Sequence, residues 1–319
     1  MLVVSPIMSA SEMSGKPAGR LKNLTLARSQ IDRASELRTD SAAMKKQWED
    51  AKVLVVVGNS LSANDEELIY YSPRDFGDEG ERYFLGLEPS NGQSYFAIHL
   101  PVGDERFSEE KLRTLRQVGA NLSDLEAGLA VHAIALANWH TTHPCCSRCG
   151  APTRVDLGGA VRICTADETQ HHPRTDPAVI VLIRDNADRI LLGHQPIWPV
   201  RRFSAFAGFV EPGESFEQCV EREVFEESGV KVHSVSYLGS QPWPFPASIM
   251  IAYEAITDDA STAKADGIEI TEIRWFTRAE MKLAVESGEV LLPPRISVAR
   301  RMIEHWYGAE IETDESWRP

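Results

Sequence analysis

Residues 208–230 read GFVEPGESFEQCVEREVFEESGV. Ser215 followed by Gln218 has the form of a capping box opening a helix, and Gly229 has the form of a left-handed stop. The spacing predicts a helix from about Phe216 to Ser228. On a 3.6-residue wheel Phe216 and Val220 mark a core-facing stripe, whose next two positions are Glu223 and Glu227. Carboxylates stand where a core helix would carry leucine. Glu226 flanks the same face one turn after Glu223, so three acids converge on one region. They would repel one another unless a cation sat among them. Oxygen donors suit Mg2+ or Mn2+, and Mg2+ shares its shell with substrate phosphates and water. The alternative is a solvated acidic face, but such a face does not replace a core stripe with Glu. Nor does it need Gly208, Gly213 and Gly229 at fixed offsets. Residues 208–213 read as a tight loop that brings backbone close to metal or phosphate. Arg222, four residues before Glu226, either orients carboxylates by ion pairing or makes an ordinary surface pair.

The formal charge of −14 means that the surface as a whole repels a diphosphate, so binding must rely on local cations. General nucleic-acid binding is not expected. With 319 residues, 43% of them apolar, the chain can bury more than one core. Five cysteines, most of them in one short stretch, do not resemble a secreted disulfide framework. No apolar run approaches the length that spans a bilayer. The opening MLVVSPIMSASEMSGKPAGR lacks a basic n-region and a convincing apolar one. It reads as part of a disordered leader over residues 1–45, with Met8 or Met13 as alternative starts, on a cytoplasmic protein.

Residues 46–143 read as a β-rich N-terminal domain ending in a helix. Its strands include VLVVVGNSL and a hairpin in YFLGLEPSNGQSYFAIHL turning at Asn91-Gly92. Leu125 to Trp139 carries apolar residues at helical spacing. This part shows no catalytic constellation and reads as structural or dimer-forming. Residues 144–173 read as a zinc-ribbon-like element: Cys146-x2-Cys149-Gly150 has the form of a zinc knuckle, and Cys164 follows a Gly158-Gly159 turn. Where a fourth Cys is expected, position 167 holds Asp167. The fourth ligand is Asp167, Cys145, His171 or none, the last being a ribbon that has kept its fold without metal.

Residues 174–319 read as the catalytic domain. AVIVLIRDNADRILLGHQ gives two strands with a turn near Asn186, and FSAFAGFVEPGE leads into the acidic helix. Strands resume at VHSVSYLGSQ, SIMIAYEAI and EIRWF before a helix near Ser297 to Trp306. A mixed sheet flanked by helices is the expected sandwich. Within it, SQPWPFPASIM alternates Pro242, Pro244 and Pro246 with Gln241, Trp243 and Phe245. The prolines fix an extended backbone at a sheet edge or in a rigid loop. Residues two apart on an extended chain share a side, so an amide and two rings would stand together and could stack a purine or nicotinamide. A proline-stiffened hydrophobic plug is the plainer alternative.

The box fills every fixed position of G-x5-E-x7-R-E-U-x-E-E-x-G-U, with U a bulky aliphatic residue, and with it the chain resembles a Nudix hydrolase. SQPWPFPAS after the box, CxxCG at 146–150 and HPRTDPAVIVL from His172 are similar to the NADH pyrophosphatase branch of that family. The likeness covers about Leu125 to the C-terminus at motif level and is weaker upstream. It implies an α+β fold, the α-β-α Nudix sandwich with a mixed sheet, after the ribbon-like element and the β-rich domain. It implies a dimer that splits NAD(H), with Mg2+ or Mn2+, into nicotinamide mononucleotide and AMP, some members also removing NAD caps from the 5′ ends of RNA. It makes Glu223 and Glu227 metal ligands, with the Ala207 carbonyl, and Glu226 a ligand or part of the base system. A further acid from a later strand corresponds to Glu269. Gln241, Pro242, Trp243, Pro244, Phe245, Pro246, Ala247 and Ser248 correspond to the base-binding segment, Ala299 to a contact near the last helix, and Phe209 to a ring stacking on the nicotinamide side. His172 stands where relatives carry Tyr, which leaves the ring preference open. The implied reaction is attack of a metal-activated water on one phosphorus, with Glu226 or Glu269 taking the proton. Two other readings stand beside it: a Nudix enzyme for ADP-ribose, dinucleoside polyphosphates or NAD-capped RNA, and a noncatalytic NAD-sensing module.

Overall fold

The computed structural model describes residues 19–312, which divide into two compact units. One holds residues 19–24, 176–241 and 249–312; the other holds 25–175 and 242–248. The expected β-rich domain and ribbon-like element both lie in the second unit. Of the stretch 174–319, residues 174–175 and 242–248 group with the second unit, and residues 19–24 join the first.

The second unit begins with helix α1 (Ser41–Glu49), whose first N–H groups, Ala42 and Ala43, donate to Asp40 Oδ1. Strands β1 (Lys52–Val57), β2 (Ser60–Ser62), β3 (Tyr70–Tyr71), β4 (Glu81–Leu87), β5 (Ser94–Leu100) and β6 (Leu112–Thr114) form one sheet. The valines of β1 lie at its centre, parallel to β5 and antiparallel to β2 and β3. The hairpin β4–β5 is present, and Gly92 takes the left-handed conformation its turn requires, φ +74°. Helix α2 (Leu115–Val118) is a single turn, and α3 (Asp124–Thr142) buries almost every apolar residue it carries. A separate three-stranded sheet, β7 (Thr153–Asp156), β8 (Val161–Cys164) and β9 (Gln170–His171), follows. Buried Arg162 on β8 ties this sheet to α3, donating to Thr153 Oγ1 at 2.6 Å and the Thr153 carbonyl at 3.1 Å, and meeting His140 Nδ1 at 3.0 Å.

Of the expected leader, residues 1–18 lie outside the described residues, and 19–45 are not without structure. Asp32 and Leu87 exchange backbone hydrogen bonds, Leu24, Leu26 and Ala34 are buried, and Ser41 opens α1. Isolated apolar residues in a polar stretch gave no periodicity, but each fills a place in a core.

In the first unit, β10 (Asp176–Asp185), β11 (Ile190–His194), β12 (Phe206–Phe209), β13 (His233–Trp243), β14 (Ser248–Thr257) and β15 (Glu272–Phe276) form a six-stranded sheet ordered β13-β14-β10-β11-β15, with β12 beside β10. Strict alternation along β10 sends its side chains to two cores. Val179, Val181 and Ile183 join Val220 and Val224 of helix α4 (Phe216–Ser228). Ile180 and Leu182 join Met281 of α5 (Arg278–Glu286) and Met302, Ile303 and Trp306 of α6 (Val298–Tyr307). The result is a sheet between helices, three layers deep.

Candidate active site

Helix α4 has the bounds its caps dictate. Ser215 Oγ accepts from Gln218 N–H at 3.2 Å, Gln218 Oε1 accepts from Ser215 N–H at 2.9 Å, and Gly229 closes the helix at φ +67°. Its buried face is Cys219, Val220, Val224, Glu227 and Ser228. Phe216, expected to mark that face, is 41% exposed instead, at the first position of the helix. Glu227 does occupy a core position, at 3% exposure, while Glu223 is largely covered and Glu226 reaches solvent.

Arg222 organises the acids around it. It donates to both Glu214 oxygens at 2.6 and 2.9 Å, to Glu223 Oε1 at 2.8 Å, to Glu226 Oε2 at 3.1 Å and to the Phe209 carbonyl at 3.0 Å. The paired guanidinium holds the Glu214 carboxyl down at about 2, and the same bonds raise the Arg222 pKa. No guanidinium pairs with Glu227, and the backbone at Ala207 is all that opposes the rise in its pKa. Both of its carboxylate oxygens are buried without a hydrogen-bond partner. Burial, then the charges of Glu223 and Glu269, push its pKa up to about 8. Burial also raises the Glu223 pKa, against the pull of Arg222.

At Gly208 the chain has no room for a side chain. This residue sits on β12, paired with Val179, and a Cβ built there would overlap the Glu223 carboxylate. Ala207 precedes it in the same strand and pairs with Ile180. Glu269 lies in the loop before β15, not on a strand as expected, because Asp266 caps that loop by accepting from the N–H groups of Glu269 at 3.0 Å and Ile270 at 2.7 Å. Lys264 N–H bonds the Ser228 carbonyl at 2.8 Å, which docks the loop on the end of α4. Asp266 was not singled out in the sequence; an Asp followed by Gly267 in an unpatterned stretch carries no signal beyond a turn.

These residues fit a hard divalent cation. An orphaned buried carboxylate, a second one lying against glycine backbone and further acids alongside make an oxygen-rich cradle whose charge Arg222 offsets only in part. The exposed Phe209 ring, at 59%, stands at the end of β12. Ala299, in the first turn of α6, has a buried side chain, and its N–H bonds Ser297 Oγ at 3.2 Å.

The Pro-aromatic segment departs from the extended alternation. Gln241 is fully buried and donates to the Ile296 carbonyl at 2.9 Å, so its amide does not stand with the rings. After Trp243 the chain turns through 244–247, where the Phe245–Pro246 peptide is cis. Trp243 and Phe245 meet edge to face, centroids 4.8 Å apart, both half-buried. Pro244 and Ser248 are buried, Pro242 and Ala247 partly so, and Pro246 is exposed. His172 is exposed just beyond β9.

In the ribbon-like element, Cys146, Cys149, Cys164 and Asp167 bring their ligand atoms within 4.8 Å of one another and could hold a metal ion. Arg148 and Ala166 N–H groups point at Cys146 and Cys164 sulfurs at 3.4 Å. The Arg148 backbone bond leads in lowering the Cys146 thiol to about 6, and Cys164 lies against Asp167, which raises its thiol to about 11. His171 Nε2 is 3.2 Å from Cys146 Sγ, at the side of the cluster, while exposed Cys145 stands outside it. No helix among the described residues is long and apolar enough to cross a membrane.

Comparison with known proteins agrees with this geometry. Residues 174–293 match the NUDIX domain model, and residues 39–139 match that of the NADH pyrophosphatase-like rudimentary NUDIX domain. The chain is 40% identical over 301 residues to the NAD-capped RNA hydrolase NudC of Mycobacterium bovis, covering 89% of this chain and 95% of that protein. It is 34% identical over 268 residues to the human NAD-capped RNA hydrolase NUDT12, covering 79% of this chain and 56% of that one. Among solved structures, a NUDIX hydrolase from Nitrosomonas europaea matches with a TM-score of 0.41 at 24% identity, over 52% of this chain and 93% of its own. The chain belongs to the Nudix hydrolase family.

Proposed function

We propose that this protein hydrolyses the diphosphate of NAD(H) to AMP and nicotinamide mononucleotide, reduced or oxidised, and cuts the same bond where NAD caps the 5′ end of RNA. The observation that carries the reading is the presence in one chain of the Glu223–Glu227 cradle and of the Trp243–Phe245 pair. The first suits a diphosphate, and the second suits a flat ring. The names of the mycobacterial and human relatives support the NAD part, including the capped RNA.

Glu223, Glu227 and the Ala207 carbonyl would hold Mg2+ or Mn2+, with Glu226 and Glu269 as further ligands or as the base. Such ions, when bound, offset phosphate charge and lower the pKa of water. The chain's own residues do the rest. Arg222 keeps Glu214, Glu223 and Glu226 in place. Glu226 or Glu269 takes the proton as a water oxygen bonds to one phosphorus and the bridging P–O bond breaks, its electrons leaving with the other phosphate. From the family correspondence, Phe209, with its exposed ring, is assigned to stacking on the nicotinamide side, and His172, Gln241, Ala299 and residues 242–248 are assigned as further substrate contacts. Zn2+ held by Cys146, Cys149, Cys164 and Asp167 would be structural. The protein acts as a cytoplasmic homodimer in this reading. An NAD sensor without activity is disfavoured, because it need not keep Glu226 and Glu227.

The test offers NADH, NAD+, ADP-ribose, diadenosine tetraphosphate and NAD-capped RNA with Mg2+ or Mn2+, followed by product chromatography. No AMP from either NADH or NAD+ would sink the reading. Metal analysis of the protein and of Cys146→Ser decides the zinc, and light scattering decides the dimer.

A further inference from the structure

The turn that carries Trp243 and Phe245 is held by side chains more than a hundred residues upstream. Asn138 on α3 donates both amide hydrogens, to the Pro244 carbonyl at 3.1 Å and the Pro246 carbonyl at 2.9 Å. Arg116 on α2 places its guanidinium carbon 3.9 Å from the Phe245 ring centroid and 5.0 Å from that of Trp243. Three prolines remove three N–H donors from the segment; Phe245 N–H serves the Trp243 carbonyl at 2.7 Å, but the Pro244 and Pro246 carbonyls take donors brought from elsewhere. One amide supplies two of them. A planar guanidinium can lie over an aromatic face while covering the edge of its neighbour, which an ammonium on a flexible stem does less well. Burial lowers the Arg116 pKa, in keeping with a group turned to rings more than to water.

We propose that Asn138 and Arg116 are positioning residues for the substrate's base ring, fixing the orientation of Trp243 and Phe245 so that the N-terminal part of the chain takes part in choosing the substrate. This rests on the reading above that the segment receives a ring of NAD(H). Neither residue needs to touch the reacting phosphates. Their loss should therefore weaken ring binding and spare the chemical step.

Asn138→Asp keeps the volume but replaces two donors with a carboxylate facing two carbonyls. Arg116→Lys keeps the charge and removes the planar face. For each variant, NADH hydrolysis should show KM raised about tenfold with kcat within about threefold of the parent. A purely structural tie would lower the melting temperature and leave KM where it was, and that result overturns the proposal, as does a fall in kcat at unchanged KM. If Asn138→Asp does not fold, Arg116→Lys decides by the same split. A wild-type protein that hydrolyses neither NADH nor NAD+ fails the functional reading, and the positioning claim with it. An active wild type with unmoved KM in the variants fails the positioning claim alone.

Discussion

Helices α3 and α4 sit in the parts of the chain that match the rudimentary and the full Nudix models, and they spend their buried faces differently. α3 buries Leu129, Ala130, Ala133, Ile134, Ala137 and Trp139, and keeps its acids, Asp124 and Glu126, in the first turn, where they favour the helix dipole. The buried His140 ring meets Arg162 and the Gly159 carbonyl, while His132 Nδ1 and Trp139 Nε1 on the same helix are buried without a hydrogen-bond partner. α4 buries the Glu227 carboxylate with neither oxygen in a hydrogen bond. A neutral ring nitrogen left without a partner costs little beside a buried carboxylate, which must take up a proton or a cation. The two helices thus differ in the chemistry of what they leave unpaired, neutral rings on α3 and an acid on α4.

The hardest test of the contrast is Glu227→Gln. Removing the carboxylate charge should cut kcat by about a thousandfold or more while the fold survives, since a neutral amide suits the same burial. Full activity in that variant would break the comparison. Next comes a pair of glycines. Gly208→Ala drives a methyl group into the Glu223 carboxylate and should lower kcat on the order of a hundredfold. Gly128→Ala on α3 meets Ser29 Oγ at 2.6 Å and should cost about 1–2 kcal/mol of stability, read by denaturant melts, with kcat unchanged. Arg222→Lys, which loses the fork on Glu214, should reduce kcat about tenfold.

The smallest effect is in pH. Glu227 is raised from an ordinary 4.5 to about 8, so the fold favours its neutral form. That contribution is complete below about 4.5 and is lost as pH climbs through 8. Metal-free protein should therefore melt at lower temperature at pH 8.5 than at pH 5. Mg2+ should recover more at the higher pH, and Glu227→Gln should lack this part of the slope. Equal recovery at both values would argue that Glu227 is not a metal ligand.

Much of α4 is legible in the sequence. Ser215, Gln218 and Gly229 are local signals that act through neighbouring backbone, and they bound the helix as read. The exposure of Phe216 is not legible there, because a wheel gives direction but not depth of burial. The Pro-aromatic segment shows a deeper limit. Its prolines announced stiffness, yet the turn after Trp243 depends on Asn138, and Gln241 is drawn to Ile296, both far off in sequence. Asp167 could be named as a candidate ligand from spacing, but only the fold brings it within reach of three sulfurs while leaving Cys145 outside.

The return of 242–248 to the unit formed by 25–175 has a bearing on how this protein can be dissected. A gene cut near codon 174 would still encode every acid of the cradle, and by motif it would look like a complete enzyme. It would lack Asn138 and Arg116 beneath Trp243 and Phe245. It would also lack residues 19–24, where Leu21 N–H bonds the Leu238 carbonyl and Leu24 fills a core beside Leu238. The linear order of the motifs and the physical partition of the molecule do not coincide, so the natural unit for transplantation into another protein is the whole chain.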